Sequence, residues 1–167
     1  MDAADLKVLK RVSLGFRATA LSCSGEVAAL GAVEGCFCVD LNSGEVTMLD
    51  GGEKRIPTSC AVLDRVVAFG CSDNSVSVYQ IEDGGQHLTS THFLVAPEAG
   101  REGRSQISAV DIVATSAGLV ICAAQLYGPA RVFRVSQDRA ELLFETAPFF
   151  AQTLALRTAG SMLFVAG

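Results

Sequence analysis

Two histidines, six cysteines and a scatter of serines and threonines are the residues that could do chemistry here. A hydrolytic Ser-His-Asp or Cys-His site needs a histidine within hydrogen-bond reach of a nucleophile. His87 and His92 stand five positions apart in one strand-like stretch, a spacing that sends them to opposite faces of a strand. Only His92 beside Cys60 or Cys71 would keep that chemistry open, and the reading adopted is an exposed outer-strand histidine.

The cysteines are Cys23, Cys36, Cys38, Cys60, Cys71 and Cys122. Cys36-x-Cys38 puts two thiols on one face of a strand. A tetrahedral zinc site needs two such pairs or a pair with histidine, and no CxxC is present. No metal is expected, and the pair reads as a buried strand face. The opening MDAADLKVLKRVSL carries acid where a secretory leader needs base, and no apolar core follows. Reduced thiols and a cytoplasmic or nuclear location are therefore expected. The longest strongly apolar stretch, Ala117 to Ala124, is too short to span a bilayer, so no membrane insertion is expected.

Phosphate cradles of the GxGxxG or GxxxxGK[ST] type are absent, and the glycines near Lys54 and Arg101 fall between strands. No cofactor is expected and a small-molecule substrate is disfavoured. The carboxylates Glu82-Asp83 and Asp2 and Asp5 read as solvated turn and tail. Thr58, Ser59, Ser108 and Thr153, at strand starts, are too ordinary to mark an active site. The expectation is a protein that is not an enzyme.

The elements that would position these residues are strands. Half of the residues are apolar and 19% charged, which excludes disorder. Short runs such as EVAALG, CFCVDL, VAFG, SVSVYQI, ARVFRV and ELLFET alternate with turns at Asn42-Ser43-Gly44, Ser72-Asp73-Asn74 and Asp83-Gly84-Gly85. No helical periodicity is sustained. The class is all-β.

A unit also repeats. Val27–Gly31, Val66–Gly70 and Leu119–Ala124 each end in a small residue, then a polar turn, then an alternating third strand: Cys36–Leu41, Ser75–Ile81 and Ala130–Val135. Fourth strands follow at Glu45–Leu49, His87–Leu94 and Glu141–Thr146. The small residues Gly31, Gly70, Ala124 and Gly167 recur at intervals of 39, 54 and 43. That period suits a four-stranded propeller blade.

The stretch VVAFGCSDNSVSVYQI resembles the core of a WD repeat. The third-strand aromatic is kept in Tyr79-Gln80 and Phe133-Arg134 and lost in Val39-Asp40; the turn aspartate survives as Asp73. The resemblance implies a β-propeller of four-stranded antiparallel blades, about three and a half of them visible. The expected division is 1–16 as an N-terminal strand of a closing blade, 17–50, 51–94 and 107–147 as blades, 95–106 as an inserted loop, and 148–167 as the start of a fourth blade. Since rings close at about 4–8 blades, the chain is expected to be part of a longer protein or to complete its ring with a second copy.

The family resemblance implies a scaffold for protein–protein contacts in a larger intracellular assembly. Connections before each first strand and turns within each central hairpin would share one face, bringing Lys54 and Arg55 near Arg101 and Arg104. These four are the candidate contacts for an acidic partner segment. The net charge of −5 disfavours nucleic acid. The rival readings are a nucleic-acid-binding propeller that uses the basic inserted loop, and part of a propeller enzyme whose site lies beyond residue 167.

Overall fold

The computed structural model describes residues 13–51, 55–82, 87–95, 106–136, 139–148, 155–159 and 162–166. They form an all-β architecture of three four-stranded antiparallel sheets and one two-stranded sheet, each strand paired with its sequence neighbour. The first blade is β1 (Ala18–Ser24), β2 (Val27–Ala32), β3 (Gly35–Asp40) and β4 (Val46–Asp50). The second is β5 (Pro57–Leu63), β6 (Val66–Cys71), β7 (Ser75–Ile81) and β8 (His87–Leu94). The third is β9 (Ile107–Thr115), β10 (Gly118–Gln125), β11 (Ala130–Val135) and β12 (Ala140–Glu145). β13 (Ala155–Ala159) and β14 (Met162–Ala166) pair beside it.

The blades turn about their first strands. β1 packs on β5, β5 on β9 and β9 on β13, so these four strands wall a central cleft and the fourth strands lie outermost. Tight turns permit this layout. Asp64 and Asn74 hold positive φ of 51° and 67°, a conformation that short polar side chains tolerate.

The small residue near the end of each second strand, one position before it in β2 and β6, has a specific cause. A Cβ on Gly31 would stand 2.7 Å from Cβ of Pro57, and one on Gly70 would stand 2.3 Å from Cγ2 of Ile107. In both cases the obstacle is the first residue of the next blade's innermost strand. The repeat seen in the sequence is thus the imprint of one blade on its neighbour.

The core consists of the seams between blades. Val27, Ala29, Cys36, Cys38 and Leu49 meet Val67, Phe69, Cys71, Tyr79 and Ile81 between the first and second. Ala61, Ala68, Val76 and Val78 meet Ile107, Val110, Ile112, Ile121 and Phe133 between the second and third. Cys36 and Cys38 share the same seam, as their alternation requires.

Two expectations need comment. Most of LKVLKRVSL lies outside the described residues, and its last two residues, Ser13 and Leu14, are not in a strand. Leu14 and Phe16 instead pack on the first blade, where Phe16 stacks on Phe37 at 4.2 Å. The five-residue spacing of His87 and His92 does not fix their faces, because the register shift between Gln80 and Ile81 places an extra residue in β8 between them.

Candidate functional site

One face of the propeller is assembled by the connections between blades and the central hairpin turns. The Ser72 amide donates to the Ile56 carbonyl at 2.9 Å, and the Ile56 amide donates back to Ser72 Oγ at 3.3 Å. In the third blade the Leu126 amide donates to the Gln106 carbonyl at 3.0 Å. The turn aspartate Asp73 accepts from the amide and hydroxyl of Ser75, closing its own turn.

Two polar chains run across this face. Between the first and second blades, Arg55 ion-pairs with Asp50 at 3.7 Å and donates to Nδ1 of His92 at 3.0 Å. Ser77 reaches the same nitrogen at 3.0 Å, and the Tyr79 hydroxyl donates to Asp50 at 3.4 Å. Between the second and third blades, Gln125 donates to Asn74 at 2.8 Å and accepts from Arg131 at 2.9 Å, while Arg131 ion-pairs with Glu145.

Ser77–His92 has the contact of a catalytic dyad and none of its working geometry. Ser77 is 3% exposed. Its partner nitrogen also faces the Arg55 cation, and burial and that cation together hold the His92 pKa below the usual 6.5. A base whose lone pair already holds an arginine is a poor proton acceptor. His92 thus sits beside Ser77 rather than beside Cys60 or Cys71 as bonding partner.

Thr58, Ser59 and Ser108, named at strand starts, line the central cleft, which has a volume of about 250 Å³ and Thr19 and Arg157 also among its walls. Most are committed to carbonyls. Thr19 Oγ1 donates to Pro57 O at 2.7 Å. Thr58 Oγ1 lies 3.0 Å from Gly70 O and also reaches Ile107 O. Ser108 donates to Ala124 O at 3.2 Å. Thr19 and Thr58 hold equivalent places in successive blades, and each staples its blade to the first residue of the next innermost strand. Further round, Asp111 of β9 is 7% exposed. It accepts from the Thr158 amide at 2.7 Å, the Thr158 hydroxyl at 2.8 Å and Arg157 at 3.4 Å, tying β9 to β13.

Of the four basic residues expected to meet a partner, Arg55 lies in the connection as expected, already engaged by Asp50 and His92. Lys54, Arg101 and Arg104 lie outside the described residues, as do most of the inserted loop and Thr153. The polar chains were not anticipated. Their links across the seams, Arg55 with His92 and Gln125 with Asn74, join residues far apart in sequence that only the register brings together.

No protein-family model matches the sequence, and no curated protein matches it. Solved structures do match. The computationally designed Ika4 protein superposes with a TM-score of 0.68 at 21% identity, over 95% of this chain and 92% of that one. The computationally designed Ika8 protein gives 0.64 at 21% identity, over 89% of this chain and 42% of that one. The Cps50 (Swd1) β-propeller domain of Myceliophteria thermophila gives 0.60 at 15% identity, over 84% and 46%. The chain therefore spans less than half the length of the latter two. At these identities the likeness shows the fold, a β-propeller of four-stranded antiparallel blades.

Proposed function

We propose that this chain is a non-catalytic, WD-repeat-like propeller scaffold that docks other proteins within a cytoplasmic or nuclear assembly. One observation carries the reading: connections between blades are hydrogen-bonded to the central hairpin turns, which makes a braced face from otherwise separate loops. Loops held on a rigid frame are where recognition residues concentrate. Two cleft hydroxyls support the same reading, since Thr19 and Thr58 are occupied in joining successive blades.

The partner class is a protein segment rich in Asp and Glu. Lys54, Arg101 and Arg104 supply the charge it meets, and Arg55 contributes less because Asp50 already neutralises it. A Glu/Asp-rich peptide, titrated by fluorescence anisotropy against the native protein, tests this. Joint replacement of Lys54, Arg101 and Arg104 by alanine weakens binding about tenfold or more, whereas Arg55→Ala alone changes it by less. Equal affinity for the triple variant and the native protein abandons the assignment. Preference for a single-stranded oligonucleotide in the same assay, falling steeply with salt, replaces it with nucleic-acid binding.

A further inference from the structure

The seam between the first two blades holds a pair of thiols that the scaffold reading leaves unused. Gly31 and Pro57 face each other closely across it, with 2.7 Å between Cβ of Pro57 and a Cβ built on the glycine. The residue paired with Gly31 on the next strand outward is Cys36, and the residue paired with Pro57 is Cys71. Strand pairing keeps paired residues on one face, so both cysteines face the seam, one from each blade. Both belong to its core, at 4% and 1% exposure, and each thiol is the strongest electrostatic neighbour of the other. At the equivalent register of the next seam, Gly70 pairs with Val76 and Ile107 with Gln125. The register therefore brings the residues at these positions together, and among the described seams this one fills both with cysteine.

The electrostatics separate the two thiols. The neighbouring Cys36 thiol is the largest influence on Cys71 and lowers its pKa against burial and Asp73, with Ser75 and Arg55 acting in the same direction. Cys36 is pushed up, first by the Cys71 thiol and then by burial. The sulfur with more thiolate character is the nucleophile, and its protonated neighbour is placed to resolve it. Among the described residues no three His, Cys, Asp or Glu gather to hold a metal, so the chemistry here is that of a dithiol.

We propose that Cys36 and Cys71 form a reversible disulfide between the first and second blades when the protein meets a peroxide. The Cys71 thiolate attacks one oxygen of hydrogen peroxide; an S–O bond forms, the O–O bond breaks, and hydroxide leaves to become water. Cys36 sulfur then attacks Cys71 sulfur. The S–S bond forms, the S–O bond breaks, and the departing oxygen takes the Cys36 proton as a second water. Two thiols are oxidised and one peroxide is reduced to two waters. The product adds a covalent clip to two blades joined by packing, hydrogen bonds and the Asp50–Arg55 ion pair, and a dithiol reductant reopens it.

The test treats native protein with hydrogen peroxide, blocks remaining thiols with N-ethylmaleimide, and maps a non-reduced digest by mass spectrometry. The expected product is a peptide pair linked through Cys36 and Cys71, abolished by dithiothreitol, with the melting temperature raised in the oxidised form. Cys36→Ser removes the resolving thiol, so dimedone traps a sulfenic acid on Cys71; Cys71→Ser leaves Cys36 unlinked. Absence of the linked pair in native protein, under conditions that oxidise exposed Cys23, overturns the proposal. So does a pair linked through any other cysteine. Because native protein is read directly, a variant that fails to fold does not affect the result.

Discussion

The seam between the first and second blades and the seam between the second and third are built on one register from different chemistry. Each has a glycine against the next blade's leading residue and a threonine hydroxyl on that residue's carbonyl. Outward from there they diverge. The first seam carries the thiols of Cys36, Cys38 and Cys71, the edge-on ring pair Phe69–Tyr79 at 6.1 Å, and a polar cap of Asp50, Arg55 and His92. The second is aliphatic, with Phe93 on Phe133 at 4.9 Å and the uncharged bond Gln125–Asn74. Position along the strand decides what touches; side-chain type decides whether the contact responds to anything beyond temperature.

The comparison is broken most severely by emptying either seam. Phe69→Ala in the first and Ile107→Ala in the second, each at a fully buried site, are expected to cost about 2–5 kcal/mol each by denaturant unfolding. Equal losses would mean that packing contributes alike on both sides. Next comes Gly70→Ala, whose Cβ meets Ile107 Cγ2 at 2.3 Å and Ser59 Oγ at 2.6 Å. Overpacking of this kind costs about 1–3 kcal/mol. Gly31→Ala is expected to cost less, because its nearest obstacle stands at 2.7 Å. The reverse order would show that Ile107 yields more easily than Pro57.

Smaller again is the loss of a staple. Thr19→Val and Thr58→Val keep shape and remove a hydroxyl, at about 1 kcal/mol each. The smallest effect is a dependence on pH confined to the first seam. His92 is held below its ordinary 6.5 by burial and Arg55, so the unfolded chain takes up the proton first as pH falls. Stability is then lost as pH drops below about 6.5. A native protein and a His92→Asn variant, melted across that range, should diverge on the acid side and run parallel above it. Parallel curves throughout would show that His92 does not titrate differently on folding.

Much of this frame was legible in the sequence, for a physical reason. Second and third strands are buried on both faces, so Val27–Ala32 and Ser75–Ile81 stand out as apolar runs, and the glycines one residue before the ends of β2 and β6 mark a steric requirement. What escaped were contacts whose acceptor is a backbone carbonyl, such as Thr19 on Pro57, since every residue carries one and none is distinctive. The Asp50–Arg55–His92 chain escaped differently. Arg55 was singled out for its charge, but the charge and ring that engage it come from an outer strand before it and an outer strand well after it. A cation read from sequence looks available until the register supplies its partners.

The threonine staple has a consequence for how such a molecule grows. Its donor sits on one blade and its acceptor on the next, so the joint is polar in the sense of a head and a tail and cannot be satisfied by two blades meeting face to face in mirror order. A joint of that kind propagates in one rotational direction, and repetition either closes a ring or winds past it. Duplicating the stretch from one innermost strand to the next therefore inserts a unit whose tail already fits the following head. In this architecture the number of blades is a matter of copying, and each copied joint keeps its donor on one blade and its acceptor on the next.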